Sequence, residues 1–131
     1  MTVIIKDPAT KISPKILEAI KEQTHEEGQV IVHCLFYSIS LWNRIRIWPT
    51  TYLFDCHSSH ASSLVHAENI TLYPQWMITP IGDYFFTLIF SGLPKSCTLF
   101  DLIERCDNEH GAFVVKGIPR NEKDVYYIEI T

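Results

Sequence analysis

The feature that most constrains this chain is a succession of short β-branched and aromatic runs, each closed by turn residues. They are "QVIVHCLFYS" (29–38), "RIRIW" (44–48), "TYLFD" (51–55), "SLVHAENITLY" (63–73), "DYFFTLIFSGL" (83–93), "TLFDLIER" (98–105) and "DVYYIEIT" (124–131). Between them stand "EEGQ", "WPTT", "YPQW", "TPIGD", "SGLPKS", "NEHG" and "IPRNEKD", which carry the glycines, prolines and short polar residues that turns require. Strands at this spacing, without long helices alternating between them, predict an all-β fold of antiparallel strands, not a parallel α/β sheet.

Period-two patterning assigns faces. In "RIRIW", Arg44 and Arg46 face water and Ile45 and Ile47 face the core. In the last run, Tyr126, Ile128 and Ile130 share one face, with Val125, Tyr127 and Glu129 on the other. The first run is too continuously apolar for a surface strand. The expected strands are 15–23, 29–38, 44–47, 51–55, 63–66, 84–91, 98–104 and 124–130. The expected core comprises Val30, Val32, Cys34, Phe36, Ile45, Ile47, Leu53, Ile70, Phe86, Leu88, Phe90, Leu102 and Ile128.

Size and charge bound the rest. At 131 residues the chain is read as one domain, 1–131, large enough to build a core without metal or disulfide. Eleven Lys and Arg against fifteen Asp and Glu leave a formal charge of −4, which argues against nucleic acid as a partner. No apolar run reaches the ~20 residues of a membrane span, and "MTVIIKDPAT" is too polar for a signal peptide. The chain therefore reads as cytoplasmic as it stands. An exported protein already stripped of its leader would read the same. Four cysteines without CxxC spacing predict reduced thiols.

The segment "SPKILEAIKEQTHEEG" is ambiguous. Ser13 is a possible N-cap, Pro14 suits a first helical turn, and Ile16 and Ile20 are spaced i,i+4, so local propensity favours a helix over 14–23. A wider pattern favours a strand. The order "RIRIWPTTYLFD", "LVHAENITLYP", "FFTLIFSGLPKSCTLFDLIE" and a closing hydrophobic strand resembles a bacterial β-sandwich module of immunoglobulin-like type, found alone or joined to thioredoxin-like and other exported domains. The resemblance implies an antiparallel immunoglobulin-like β-sandwich. It makes "PKILEAIKEQ" a first strand in a hairpin with residues 29–38, and residues 1–14 an extension or first edge strand. Its shared residues are framework positions, so it implies no catalytic residue.

The chemistry-bearing stretch is "DCHSSHASSLVH" (55–66), with one cysteine and three histidines in twelve residues. Cys56, His57 and His60 are candidate metal ligands. A structural zinc site, however, needs four converging ligands, usually from two rigid pairs, and these three come from one serine-rich connection between strands. A loose pair, Cys106 and His110, would have to complete the set. The alternative is a plain solvated hairpin loop, which is the preferred reading, with no cofactor. A Cys–His nucleophile is disfavoured because neighbours on a strand point to opposite faces. No nucleophile elbow, phosphate loop, dinucleotide fingerprint or His-Glu-x-x-His motif occurs.

Tryptophan supplies the other candidates. Trp42 and Trp76 fall near strand ends, where an exposed indole can stack on a sugar or bury itself in a partner. Trp48, beside Pro49, reads instead as a lid on the core. Three classes stay open: a non-catalytic interaction module meeting a protein partner or a second copy through an edge strand or aromatic patch, a carbohydrate- or small-ligand-binding sandwich, and a metal or redox protein. An enzyme has the least support.

Overall fold

A computed structural model describes residues 3–6, 28–39, 43–106 and 112–130, with the backbone alone for 3–6. The segment 14–23, Trp42 and His110 lie outside the described residues. The described chain is all-β, with no helix: β1 (Val3–Lys6), β2 (Val30–Ser38), β3 (Arg44–Ile45), β4 (Thr51–Asp55), β5 (Ala61–Glu68), β6 (Met77–Ile78), β7 (Gly82–Phe90), β8 (Leu99–Glu104), β9 (Val114–Pro119) and β10 (Val125–Ile130). No described helix is therefore long and apolar enough to cross a membrane.

Eight strands form one sheet in the order β1-β10-β2-β7-β5-β4-β8-β9, and β3 and β6 pair separately. The sheet curls into a half-barrel because β5 is shared. Its first residues, Ala61–Ser63, pair with β4, and its later ones, from Leu64, pair with β7. The register slips between Leu64 and His66, and a slip of this kind bends a strand and sharpens its twist. The bend brings the two halves face to face. Phe100 of β8 meets Tyr126 of β10 edge-on, with centroids 5.0 Å apart, although the two strands are far apart in the sheet order.

The concave side holds the core. All thirteen residues assigned to it from the pattern belong to one apolar cluster. Eleven are buried, and Phe36 and Ile45 pack against them half-buried. Phe100, Leu53 and Leu88 are fully buried, so truncating either leucine to alanine costs on the order of 2–5 kcal/mol. The convex face of β2 and β7 is covered as well. Ile31 and Ile89 are buried there with Val125 packed against them, which is why β2 reads as a continuous apolar run.

Three expectations are corrected. The sheet is mixed, because β10 runs parallel to β2 from Val125 beside Ile31 to Ile130 beside Phe36. Period-two patterning fixes a strand's face but not its direction. A strand, β9, occupies 114–119, where no strand was expected and only the last two residues fell in a turn stretch. Val115 and Ile118 point inward, but Gly117 at φ +70° and Pro119 disguise the run. Both are tolerated because β9 is the last strand of the sheet, and proline is confined to such edges. The run at 44–47 pairs as a ladder only over Arg44–Ile45, opposite Met77–Ile78, and Ile47 makes a single bridge to Leu72.

Candidate binding surface

The histidine-rich stretch is the hairpin turn between β4 and β5, as its serines suggested. Asp55 organises the turn. Asp55 is the last residue of β4 and points inward. Its carboxylate accepts hydrogen bonds from the His57 backbone N–H (3.0 Å) and the Ser58 hydroxyl (2.6 Å). These bonds, Ser58's first, hold its carboxyl below the usual carboxylate range. At the far side of the turn Ser62 is completely buried, and its hydroxyl donates to the Gly92 carbonyl at 2.9 Å. His60 Nε2 lies 3.1 Å from the same carbonyl and 2.9 Å from Ser62 Oγ. His57 is exposed and His60 half-buried, so the expectation that both are solvated holds only for His57. Position 92 admits only glycine, because a Cβ there would overlap the Gly28 carbonyl.

Cys56 is exposed, and its thiol meets Asp101 Oδ1 at 3.5 Å. Burial and this neighbouring carboxylate push the thiol up, away from the nucleophilic thiolate. The Cys56 and His60 side chains thus have local partners, whereas His57 is held through its backbone N–H and its ring is exposed. Among the described residues no group of three His, Cys, Asp or Glu side chains could hold a metal ion. None of the four cysteines is in a disulfide, and Cys34 is buried in the core.

The other end of β4 is built from different material. Arg46, drawn from sequence as a solvated residue, is half-buried among rings. Its guanidinium carbon lies 3.7 Å from the Trp76 ring centroid, 4.7 Å from Tyr73 and 5.6 Å from Trp48. Trp48 and Tyr73 stack at 3.8 Å with their planes 15° apart. Arg44 sits over Trp76 at 5.1 Å. Trp76 is 48% exposed and Tyr73 43%, so the assembly lies on the surface. Local hydrogen bonds fix it. Ile47 N–H donates to Thr71 O, Tyr73 N–H donates to Ile47 O, and Arg46 Nη1 donates to Pro74 O at 3.2 Å.

Trp48 joins this assembly to a groove. An open hollow of ≈560 Å³ is lined by Trp48, Thr50, Tyr52, Phe54, Ala61, Arg105 and Cys106. Strand alternation supplies its floor. Thr51, Leu53 and Asp55 of β4 turn inward, which leaves Tyr52 and Phe54 on the outer face, their rings 5.8 Å apart. Ala61 stands opposite Phe54 on β5, and its small side chain leaves that ring accessible. Arg105 lies over Phe54 at 4.9 Å. Its backbone N–H donates to Thr50 O, and the Thr50 hydroxyl donates to Arg105 O. Trp48 is anchored from below by Glu104, a buried carboxylate accepting from Trp48 N–H at 2.9 Å and Phe113 N–H at 3.4 Å. Burial raises the Glu104 pKa against the pull of those donors and of nearby Arg46.

Of the two tryptophans singled out from sequence, Trp76 is brought into this surface. Trp48 lines the groove, where the sequence had made it a lid on the core. Tyr52, Phe54, Tyr73, Arg46 and Arg105 were missed as site residues. Alternation in "TYLFD" could have found two of them, since a strand with leucine facing inward must turn its aromatics outward. No family model matches the chain, and no curated protein or solved structure shows significant similarity to it.

Proposed function

We propose that this chain is a non-catalytic binding module, an immunoglobulin-like sandwich in which one curled sheet supplies both layers, and that the aromatic and arginine surface around Trp48 is its recognition face. The observation that carries this reading is how the arginines are used. The ion pairs among the described residues are His66–Glu68 and Arg120–Asp124, and neither involves Arg44, Arg46 or Arg105. These three guanidinium groups lie over aromatic rings, with no described carboxylate in salt-bridge range, on a chain of net charge −4. Stacked arginine keeps most of its in-plane N–H donors available. Exposed aromatics with adjacent arginine are the composition that carries most of the energy at binding sites. A hollow of this volume falls within the ~300–1,000 Å³ of small-ligand sites.

The test is a ligand screen read by tryptophan fluorescence and by NMR shift mapping. Any ligand found should perturb Trp48, Tyr52 and Phe54. A Trp48→Ala replacement should weaken it by about 2 kcal/mol, roughly 30-fold, as expected for a tryptophan hot spot. A ligand that maps to the β4–β5 turn instead, with Trp48→Ala silent, would move the site.

A further inference from the structure

We infer that the groove floored by Trp48, Tyr52 and Phe54 and edged by Arg105 takes an anionic polysaccharide, one whose pyranose rings carry carboxylate or sulfate groups. This rests on the reading of the surface as a binding face and adds the chemical class of the ligand.

Three observations select that class. First, the floor is aromatic and offers few hydrogen-bonding groups. The hollow's other lining residues are Thr50, Ala61 and Cys106. An occupant must therefore cover the rings without burying polar groups that find no partner. A pyranose ring can do this, because it presents a face of C–H groups and keeps its hydroxyls at the rim in water. Second, a peptide is poorly served here. β4 is an interior strand, paired with β5 on one side and β8 on the other. No ladder edge is open beneath the groove, so a peptide could not add as a strand and would bring unsatisfied amides onto the rings. Third, the charge at the edge is positive. Arg105 is exposed over Phe54, and Arg44 and Arg46 continue the positive character past Trp48 to Trp76. A planar guanidinium suits bidentate contact with carboxylate or sulfate oxygens at a sugar rim. Single-stranded nucleic acid would also stack on aromatics, but its backbone carries a phosphate at every nucleotide and calls for a run of basic residues along the groove, where Arg105 is the one basic lining residue among the described residues.

The experiment titrates the full chain with oligogalacturonate, dextran sulfate, neutral dextran, poly-L-glutamate and a single-stranded oligonucleotide, reading Trp fluorescence and calorimetry. The expected result is saturable binding to oligogalacturonate or dextran sulfate, the two arms separating carboxylate from sulfate recognition. That binding should weaken at least tenfold in Arg105→Gln and Trp48→Ala and be unchanged in Lys116→Ala on β9. Arg105 is exposed, so its variant keeps the test valid should Trp48→Ala fail to fold. Equal binding of neutral dextran would overturn the role of charge. Binding of poly-L-glutamate or the oligonucleotide alone, still lost in Arg105→Gln, would overturn the ligand class and leave the binding face standing. If sedimentation shows the groove closed by a second copy, or if neither variant changes binding to any probe, both the ligand class and the face fall.

Discussion

The two ends of β4 show what the same strand can be made to present. At its C-terminal end, Asp55 turns inward and gathers the turn around itself, while Ser62 and His60 are tied to Gly92 on the segment after β7. The side chains of Asp55, Ser58, His60 and Ser62 are all hydrogen-bonded within the turn or to Gly92. Around its N-terminal end, Trp48, Tyr52 and Phe54 turn outward, and Arg44 and Arg105 lie over rings without a described carboxylate in salt-bridge range. The first arrangement stabilises the hairpin and leaves little to offer a partner. The second leaves apolar area and charged donors at the surface, which a folded monomer gains nothing by exposing. The stretch richest in reactive residue types is held together by its own hydrogen bonds, and the stretch that read as framework carries the candidate site.

Arg120 sharpens the same contrast. Its guanidinium pairs with the Asp124 carboxylate through Nε and Nη2, and Nη1 donates to Pro94 O and Cys97 O. Asp124 in turn accepts from the Tyr126 hydroxyl at 3.0 Å. This arginine is committed to holding the turn between β9 and β10. Among the described residues Arg105 and Arg44 have no such carboxylate, although all three belong to the same acidic chain.

The largest effect expected is on the histidine that lies in neither region. His33, on the convex side of β2, is 6% exposed, bonded through Nδ1 to Thr87 Oγ1 at 2.8 Å and leaving Nε2 without a partner among the described residues. Burial lowers its pKa from 6.5 to about 4. The unfolded chain then takes up a proton at this position below about pH 6.5, and the folded chain does so only near pH 4. Stability falls as pH drops through that window, by roughly 3 kcal/mol in all, and this group adds no further loss below it. Urea unfolding across pH 4–7 measures it, and His33→Gln should flatten the slope. If the slope survives in His33→Gln but disappears in a His57→Ala/His60→Ala double variant, the turn is not the inert region described here.

Next is Asp55→Ala, which strips the turn of its acceptor and should cost about 2 kcal/mol. Ligand binding in the groove at the other end of β4 should be unchanged. Denaturant midpoints paired with fluorescence titration check both halves, and a change in binding would show that the two ends are coupled. His60→Ala should cost about 1 kcal/mol, because it removes the ring nitrogen that bonds near Ser62 Oγ and Gly92 O. The same denaturant titration reads it. The smallest effect belongs to His57→Ala, which should stay within about ±0.5 kcal/mol as an exposed replacement, with no change in melting temperature on adding a chelator. A chelator-sensitive transition, lost in Cys56→Ser, would restore the metal reading of the turn.

Much of this protein was decided by its sequence alone. The all-β class, β4 to the residue and the positions of β2, β5, β7, β8 and β10 within a few residues follow from period-two patterning and turn residues, because side-chain alternation is a local property of an extended chain. The core followed for the same reason, since an inward position on each strand must be apolar wherever the sheet finds a partner face. Strand direction and neighbours did not follow. The parallel β10–β2 pair, β9 beneath its glycine and proline, and the bend at Leu64 depend on which strands meet, and no single run encodes that. The site divides along the same line. Alternation already turned Tyr52 and Phe54 to one face of β4. Only the tertiary structure brought Trp48 against Tyr73, Arg46 against Trp76 and Arg105 against Phe54, across sequence gaps that no periodicity spans, because a surface made of long-range contacts exists only after the sheet has curled.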